Sequence, residues 1–263
     1  MSDNHEEEGK QLQVSLDKLA DWEKEMNQVE KDAEIYRMKK TQPMYEKRRS
    51  ILKTVPKFWY IILAENEDFT DYISPEDLKF LEFIEDIYVY YPIINGEADH
   101  FRDFDLTITF GENSLIPQQE ITKKFRTVVK YDGEERLVSE PVEVQWPKEL
   151  TKINPVAIKE KYKGKDKKEM SLSEKKKYRE GMRSFFSFFN WTGEKPGKEF
   201  RYGEEIANLI VDDLYLNALK YYILALSDEG DEEEEIDSSE GEELDLSDDD
   251  EEEEENPTKK RKL

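Results

Sequence analysis

Apolar residues near the start of the chain recur at the alternating three- and four-residue spacing of a coiled-coil helix. With Leu12 placed at the first heptad position, only Ser15 and Lys40 interrupt the apolar positions. Charged and amide side chains fill most of the other places, so the apolar stripe is narrow. We predict one long helix over residues 10–55, kinked near Pro43 because proline removes a backbone donor. Its seam comprises Leu12, Leu19, Trp22, Met26, Val29, Ala33 and Tyr36.

This helix needs a partner for its seam. No other segment has a helical pattern of comparable length, which favours pairing with the same helix of a second copy in a two-fold homodimer. The alternative is that the helix packs on its own domain, because surface helices also carry apolar stripes.

Beyond the long helix the apolar period shortens to two residues, which is typical of strands. The sequence first predicts a short buried helix after Pro56 and another that begins near Ser74. Four alternating stretches then follow, at 87–91, 104–110, 121–129 and 142–146. Helical patterns do not separate them, and Asp132-Gly133 is a hairpin signal, so we predict an antiparallel meander with one covered face.

The end of the predicted domain, residues 56–227, is helical and aromatic. Five aromatic residues lie between Phe185 and Trp191, and we expect most of them in the core beneath the sheet. A final helix is predicted from about Glu204 to Leu226. Its inward positions are predicted to be Ile206, Ile210, Leu214, Leu219, Tyr222 and Ile223. The fold class is therefore α+β.

Residues 159–179 are strongly basic and are predicted to form a loop that leads into a helix. Three interpretations stay open besides a solvated lysine-rich loop: contact with DNA phosphates, docking on an acidic face of a partner enzyme, or folding back onto an acidic segment of the same chain. The candidate contact residues are Lys175, Lys176, Lys177 and Arg179.

Charge is distributed by region along the chain. The net charge is −24, and 20 of the 28 residues from 228 to 255 are Asp or Glu. Residues 1–9 and the tail, 228–263, are predicted to be disordered. A polyanion does not bind nucleic acid directly, so its natural partner is a polycation, and we expect no sequence-specific nucleic-acid binding. The tail acids chosen as binding candidates are Glu232, Glu233, Asp248, Asp249 and Asp250.

The tail carries two further signals. Ser239 and Ser247 each have an acidic residue three positions later, which is the spacing preferred by acid-directed kinases and predicts phosphorylation. The chain ends in a basic cluster of nuclear-import type, which predicts an import receptor as a partner and nuclear localisation, with cytoplasmic shuttling allowed. The cluster consists of Lys259, Lys260, Arg261 and Lys262.

The composition argues against secretion, membrane insertion and catalysis. The chain has no cysteine and only two histidines, His5 and His100, and neither has metal-ligand spacing. We expect an intracellular soluble protein, because the first ten residues are too acidic for a signal peptide and no run is long enough to span a membrane. Gly193 to Lys198 lacks the spacing of a phosphate loop. The sequence predicts no enzyme, no cofactor and no metal.

An acidic patch is predicted on the final helix instead of an active site. Glu205, Asn208 and Asp212 are three and four residues apart and so share one face, with Glu204 and Asp213 alongside.

Several motifs resemble the nucleosome assembly protein family, in the family's order. These are Tyr45, Lys47 and Arg48 after a proline, Val55-Pro56-Lys57-Phe58-Trp59, Phe185-Phe186-Ser187-Phe188-Phe189, and Leu219-Lys220-Tyr221-Tyr222. The resemblance covers Leu12 to Leu226 and continues into an acidic tail. The segments Trp191-Thr192-Gly193 and Lys195 to Phe200 are most similar to the fungal branch named for vacuolar protein sorting, which partners a histone acetyltransferase.

The resemblance implies a headphone-shaped homodimer, in which paired long helices form the band and α/β earmuff domains lie at its ends. It also implies core histones as cargo, with Asp212 and Asp213 at the family's paired acidic position. Two functions follow as hypotheses. The chain is a nuclear histone chaperone that supports nucleosome assembly and presents histones to a histone acetyltransferase, or it is an adaptor that mainly activates that enzyme, with histone binding secondary.

Overall fold

The first element, helix α1, extends over Ser2–Leu52. The structure is a computed structural model that describes residues 2–98, 100–131, 133–163 and 170–231. The side chains of residues 1–6, 8 and 228–231 are not described. The helix begins well before residue 10, so residues 2–9 are helical rather than disordered. An acid-rich beginning suits the positive end of the helix dipole. Pro43 lies inside the helix, which ends at Leu52 instead of at residue 55.

The second half of α1 packs on the chain's own domain through one face. Met38, Gln42, Tyr45 and Leu52 share that face, and all but the half-buried Tyr45 are buried. The Gln42 Nε2 donates to the Tyr88 hydroxyl at 2.7 Å and to the Val89 carbonyl at 3.0 Å. The predicted seam lies on the opposite side and is exposed in the single chain. Packing on its own domain therefore accounts for one face of α1, and the seam remains without a partner.

Four antiparallel strands form one sheet in the order β1-β2-β3-β4, which confirms the predicted α+β class. The strands are β1 Ile84–Tyr90, β2 Phe104–Phe110, β3 Gln119–Val129 and β4 Glu135–Ser139. The predicted strand at 142–146 was wrong. Its Val142 N–H donates to the Phe189 carbonyl at 2.8 Å, and Val144 and Trp146 are buried, so this alternation reflects packing on the aromatic segment.

Short helices precede and follow the sheet along the chain. Before the sheet come α2 Phe58–Ala64, α3 Glu67–Tyr72 and α4 Leu78–Leu81; after it come α5 Pro155–Glu160 and α6 Leu172–Gly181. Of the predicted basic loop that leads into a helix, only the beginning is corrected, because Lys159 belongs to α5. Lys175 to Arg179 belong to α6, the helix into which the loop was predicted to lead, and residues 164–169 lie outside the described residues. Ser171 and Glu174 form a capping box that starts α6, with Glu174 N–H to Ser171 Oγ at 3.2 Å.

The aromatic segment forms a 3₁₀ helix, Phe185–Asn190, whose four phenylalanines are fully buried. Asp77 holds its beginning, since its carboxylate accepts from Ser184 Oγ at 2.8 Å and from the Phe185 N–H at 2.7 Å. Burial raises the pKa of Asp77 to about 6, against the lowering effect of these hydrogen bonds. The prediction that this cluster fills the core beneath the sheet agrees with its burial.

The last helical region consists of α7 Gly203–Asn208, a π-helical segment Leu209–Leu214 and α8 Ala218–Asp231. Ile206, Ile210 and Leu214 are buried as predicted. Leu219 and Ile223 are exposed, so the prediction that they face inward was wrong. A π segment inserts an extra residue into the helix and changes its phase, so Ala218 and Ala225 face inward instead.

Lys123 is fully buried in the middle of β3, and its ammonium joins three parts of the chain. Its Nζ donates to the carbonyls of Glu140 at 2.8 Å, Phe189 at 3.1 Å and Trp191 at 2.7 Å. Burial lowers the pKa of Lys123 to about 7, and Glu199 opposes that shift. One buried cation thus ties the sheet to the aromatic segment.

Lys123→Met is expected to lower the free energy of unfolding by about 1–3 kcal/mol at pH 7, because it leaves buried carbonyl groups without a donor. The folded-state pKa lies below the ordinary value of 10.5, so the unfolded chain binds more protons above pH 7. This lysine therefore makes the wild type gain stability as the pH rises from about 7 to about 9, and the variant should lose that contribution. Urea unfolding across this range measures both effects. The adjacent exposed Lys124→Met is the control, and an equal pH slope in all three proteins would contradict the prediction.

Candidate functional site

An open groove of about 360 Å³ lies where the middle of α1, strand β4 and the helices from α7 onward meet. The α1 wall contributes Glu34, Arg37 and Met38, and the β4 wall contributes Glu135 to Leu137. Tyr91, Phe101 and Phe104 add aromatic surface. We call this cavity the acidic groove, because the four carboxylate residues that line it outnumber its three arginines. The carboxylate residues are Glu34, Glu135, Glu204 and Asp212, and the arginines are Arg37, Arg102 and Arg136.

The predicted acidic patch is only partly assembled here. Glu204, Asn208 and Asp212 line the groove as one stripe, because each lies one helical turn after the last. Glu205 is exposed on the same helix but does not line the cavity. Asp213 turns toward α8, where its carboxylate accepts from Asn217 Nδ2 at 2.8 Å and from the Tyr221 hydroxyl at 2.6 Å. The adjacent aspartates therefore have different environments.

Two carboxylates of the groove are neutralised by arginines. Arg37 Nε donates to Glu34 Oε2 at 2.9 Å, and this hydrogen bond lowers the pKa of Glu34. Arg102 Nη1 donates to Glu135 Oε2 at 2.7 Å, and His100 Nε2 lies 3.4 Å from Glu135 Oε1. These pairs neutralise Glu34 on the α1 wall and Glu135 on the β4 wall.

Glu204 and Asp212 have no ion pair in the part of the chain that the structure describes. Partial desolvation in the groove raises the pKa of Asp212, although nearby Arg102 lowers it and Glu34 raises it further. A carboxylate in this state gains from an incoming cation, which replaces lost solvation with a charge-assisted hydrogen bond. Asp212 and Glu204 are thus the free anionic positions of the groove.

The sequence analysis missed Glu34, Arg37, Arg102 and Glu135. They come from three distant segments, and only the packing of α1 across the domain brings them together. Glu34 and Arg37 do carry a local signal, because three-residue spacing on a helix predicts an ion pair.

The remaining candidate residues fall into two groups. The seam residues of α1 and Lys175, Lys176, Lys177 and Arg179 of α6 are exposed. The tail positions lie outside the described residues, so their roles stay predictions. These positions are Glu232, Glu233, Ser239, Ser247, Asp248, Asp249, Asp250, Lys259, Lys260, Arg261 and Lys262.

The arrangement suits binding to an extended cationic segment. Fixed carboxylates attract the charge, and the aromatic walls offer contact to the aliphatic part of lysine or arginine side chains. Within residues 2–231, apart from the gaps already given, the structure forms no group of His, Cys, Asp and Glu that could hold a metal ion. No described helix has the length and apolar character needed to cross a membrane.

The fold is that of the nucleosome assembly class, and the chain belongs to the nucleosome assembly protein (NAP) family, whose pattern matches residues 10–243. It is 38% identical over 220 residues to vacuolar protein sorting-associated protein 75 of Saccharomyces cerevisiae, covering 82% of this chain and 80% of the relative. A putative nucleosome assembly protein of Schizosaccharomyces pombe is 30% identical over 86% of each chain.

The fold also matches the crystal structure of the Vps75 histone chaperone. The TM-score is 0.70 at 37% identity, and the match covers 80% of this chain and 97% of the other. The predicted resemblance to the family, including its fungal branch, is confirmed.

Proposed function

We propose that this chain is a histone chaperone that binds core histones, shields their charge and supports nucleosome assembly without making or breaking a covalent bond. The match to the Vps75 histone chaperone over nearly all of that structure carries the proposal. The acidic groove supplies a site of the right charge. Its fixed carboxylates lose less side-chain entropy on binding than tail acids do, so the groove contributes specificity and the tail contributes long-range attraction.

Dimerisation through α1 is part of the proposal. The seam side chains lie on the α1 face that the domain leaves uncovered, and Trp22 and Val29 are 58% and 62% exposed. The same face continues to Met44 and Ile51, which are also exposed. An apolar stripe of this length is rarely left in water, and a second copy of the helix covers it in a two-fold arrangement.

The second candidate function is an adaptor that activates a histone acetyltransferase. The resemblance of the motifs at residues 191–200 to the fungal branch that partners such an enzyme, and the exposed cations of α6, favour it. Pulldowns with a chain ending after Asp231 separate the two functions. Retention of core histones by that chain supports the chaperone, whereas retention of the acetyltransferase alone supports the adaptor.

We also propose that the chain works in the nucleus and reaches it through an import receptor that binds the terminal cluster Lys259–Lys262. Deleting residues 259–263 from a fluorescent fusion tests this. Unchanged nuclear accumulation after the deletion would contradict an import role for the cluster.

Glu204→Lys combined with Asp212→Lys is expected to weaken core-histone binding about tenfold at low salt, or about 1.4 kcal/mol, because both free anionic positions of the groove are reversed. The difference should shrink as salt screens the charges. Titration of labelled histones by fluorescence anisotropy measures it.

Glu143→Lys with Glu194→Lys is the matched control, because both residues are exposed and lie outside the groove. Equal losses in the two variants would show that only net charge matters. Asp213→Lys should behave differently and lower the melting temperature, because it breaks the bonds to Asn217 and Tyr221. We therefore propose that Asp212 and Asp213 do not act as one pair.

A further inference from the structure

A second and larger groove, about 910 Å³, lies on another part of the surface, between the end of α3, the segment at 73–76, helix α6 and residues 200–202. Four cationic side chains line it: Lys176, Arg179, Arg183 and Arg201. We call it the basic groove. It shares no lining residue with the acidic groove.

The cations of the basic groove are arranged in a row. Lys176, Arg179 and Arg183 are three and four residues apart, so they follow one face of α6 and its C-terminal extension. Arg201 faces them from the other wall, where its guanidinium lies 5.0 Å from the centre of the Tyr202 ring. Tyr202 in turn stacks on Tyr72 at 4.8 Å. One wall is thus held in place by aromatic contacts.

All four cations are exposed, and none forms an ion pair with any residue that the structure describes. Asp71, Glu76 and Glu180 also line the groove, and Glu76 is hydrogen-bonded by Ser74 Oγ. Elsewhere in the described chain, long-range pairs such as Arg102–Glu135 and Arg126–Asp105 neutralise an exposed and a half-buried arginine. The row on α6 therefore has no ion-pair partner among the described residues, and the four cations of the groove outnumber its three carboxylates.

The cationic surface continues across α6. A smaller cavity of about 190 Å³ on its other side is lined by Lys159, Lys195 and Lys198, with Glu199 as its carboxylate. Met182 and Phe200 line both cavities, so the two adjoin. Together the two cavities are lined by seven cations and four carboxylates, a surface that suits a segment with repeated negative charge.

We propose that the chain's own acidic tail, residues 232–255, docks on the basic groove. Of these 24 residues 17 are Asp or Glu, and none is Lys or Arg. The tail follows directly after α8, which ends at Asp231. Tyr221 and Leu224 of α8 line a cavity with Glu67 and Asp68 of α3, and α3 ends at Tyr72 in the basic groove. The helix that precedes the tail and the groove therefore adjoin the same short helix.

The covalent link between the tail and the domain favours binding of the tail to the basic groove over binding of any free polyanion. The stretch from 232 to 246 reaches up to about 50 Å when extended, which is enough to cross a domain of this size. A short flexible tether gives an effective concentration of about 1 mM, so a groove that binds the free segment with a Kd of about 0.1 mM holds it about tenfold more docked than free. Nucleic acid has no such advantage and meets a chain of net charge −24.

With docking, the basic groove and histones would compete for the same acidic tail. A docked tail is withheld from histones, and a histone that competes for the tail would uncover the basic groove for another anionic partner. This consequence extends the chaperone proposal, but the docking itself is measured without histones.

The test uses the full-length chain with one nitroxide spin label. The protein has no cysteine, so Leu246→Cys creates a unique attachment point in the tail. We expect a slow component in the electron spin resonance spectrum of the wild-type background. The slow component should be largely lost in the triple variant that combines Lys176→Glu, Arg179→Glu and Arg183→Glu. It should also be largely lost in the chain without these three substitutions at about 1 M salt, where charges are screened within about 3 Å.

The control reverses three exposed lysines outside the basic groove, Lys39→Glu, Lys124→Glu and Lys148→Glu, and should keep the slow component. A label equally mobile in all backgrounds overturns the proposal. So does an equal loss in the control, which would show a general charge effect. If the label is mobile throughout and only the groove variant loses affinity for a DNA duplex, the groove is a nucleic-acid surface instead. The salt response of the unsubstituted chain gives an answer even if the triple variant fails to fold.

Discussion

Met26→Glu combined with Val29→Glu is expected to convert the protein to monomers. Both side chains lie at successive seam positions and are exposed in the single chain, at 42% and 62%. Burying a large apolar side chain contributes about 1.5–3 kcal/mol, and a two-fold interface contains each position twice. The substitutions remove this contribution and place four carboxylates in the seam of each dimer. Light scattering coupled to size exclusion measures the mass.

The control for this variant is Val14→Glu. Val14 is also an exposed apolar residue of α1, at 53%, but it lies off the seam. We expect it to keep the dimer mass. A dimer that persists in the Met26 and Val29 variant would show that α1 is not the interface. Because the domain-facing side of α1 is elsewhere, the monomer should keep its fold and its acidic groove.

Phe188→Ala is expected to lower the free energy of unfolding by about 3–5 kcal/mol, the usual cost of removing a buried phenylalanine. Its ring centre lies 5.9 Å from that of Phe125, 5.8 Å from Phe185 and 5.6 Å from Phe189. The cavity would thus open between the sheet and the 3₁₀ helix, where neither rigid element can collapse to fill it. Chemical denaturation gives the value.

Tyr131→Ala is the matched aromatic truncation, because Tyr131 is fully exposed beyond the end of β3. Its effect should stay within about 0.5 kcal/mol. If Phe188→Ala were as mild as this control, the aromatic segment would not be the centre of the core.

The two predictions address separate properties of the proposed chaperone. The seam controls how many acidic grooves act together, and the aromatic core controls whether each groove is assembled. A variant that loses histone binding is therefore informative only when its mass and its stability are both known. Glu204 and Asp212 are suited to that comparison, because both are exposed and neither supports the core.

Much of the fold was predictable because it depends on periodic apolar burial. The first three strands each bury one face, and the seam of α1 is one apolar face of a regular helix, so periodicity reports both directly. The burial of the aromatic segment follows from its density of large apolar side chains. Charge could also be assigned by region, because a long acidic run needs no structure to be recognised. The family motifs then supplied the dimer and the cargo as expectations.

Other features depend on contacts between distant segments, and periodicity does not record these. The residues 142–146 alternate like a strand, but they pack on Phe189 instead of pairing with β3, while β4 contains only one buried residue, Leu137. Lys123 lies in a buried position because three carbonyls from elsewhere in the chain accept its hydrogens. A pattern of side chains carries no sign of such acceptors.

The acidic groove likewise depends partly on patterns within one element and partly on contacts between distant segments. The sequence by itself determined the long helix with an apolar seam, the antiparallel sheet, and an acidic stripe on the final helix, because each follows from the spacing of residues within one element. Only the tertiary structure decided which acids remain free. It neutralises Glu34 and Glu135 with Arg37 and Arg102, turns Asp213 to Tyr221, and leaves Glu204 and Asp212 facing the groove. The pairing of charges depends on distances between elements, and these are set by packing, not by the order of residues along the chain.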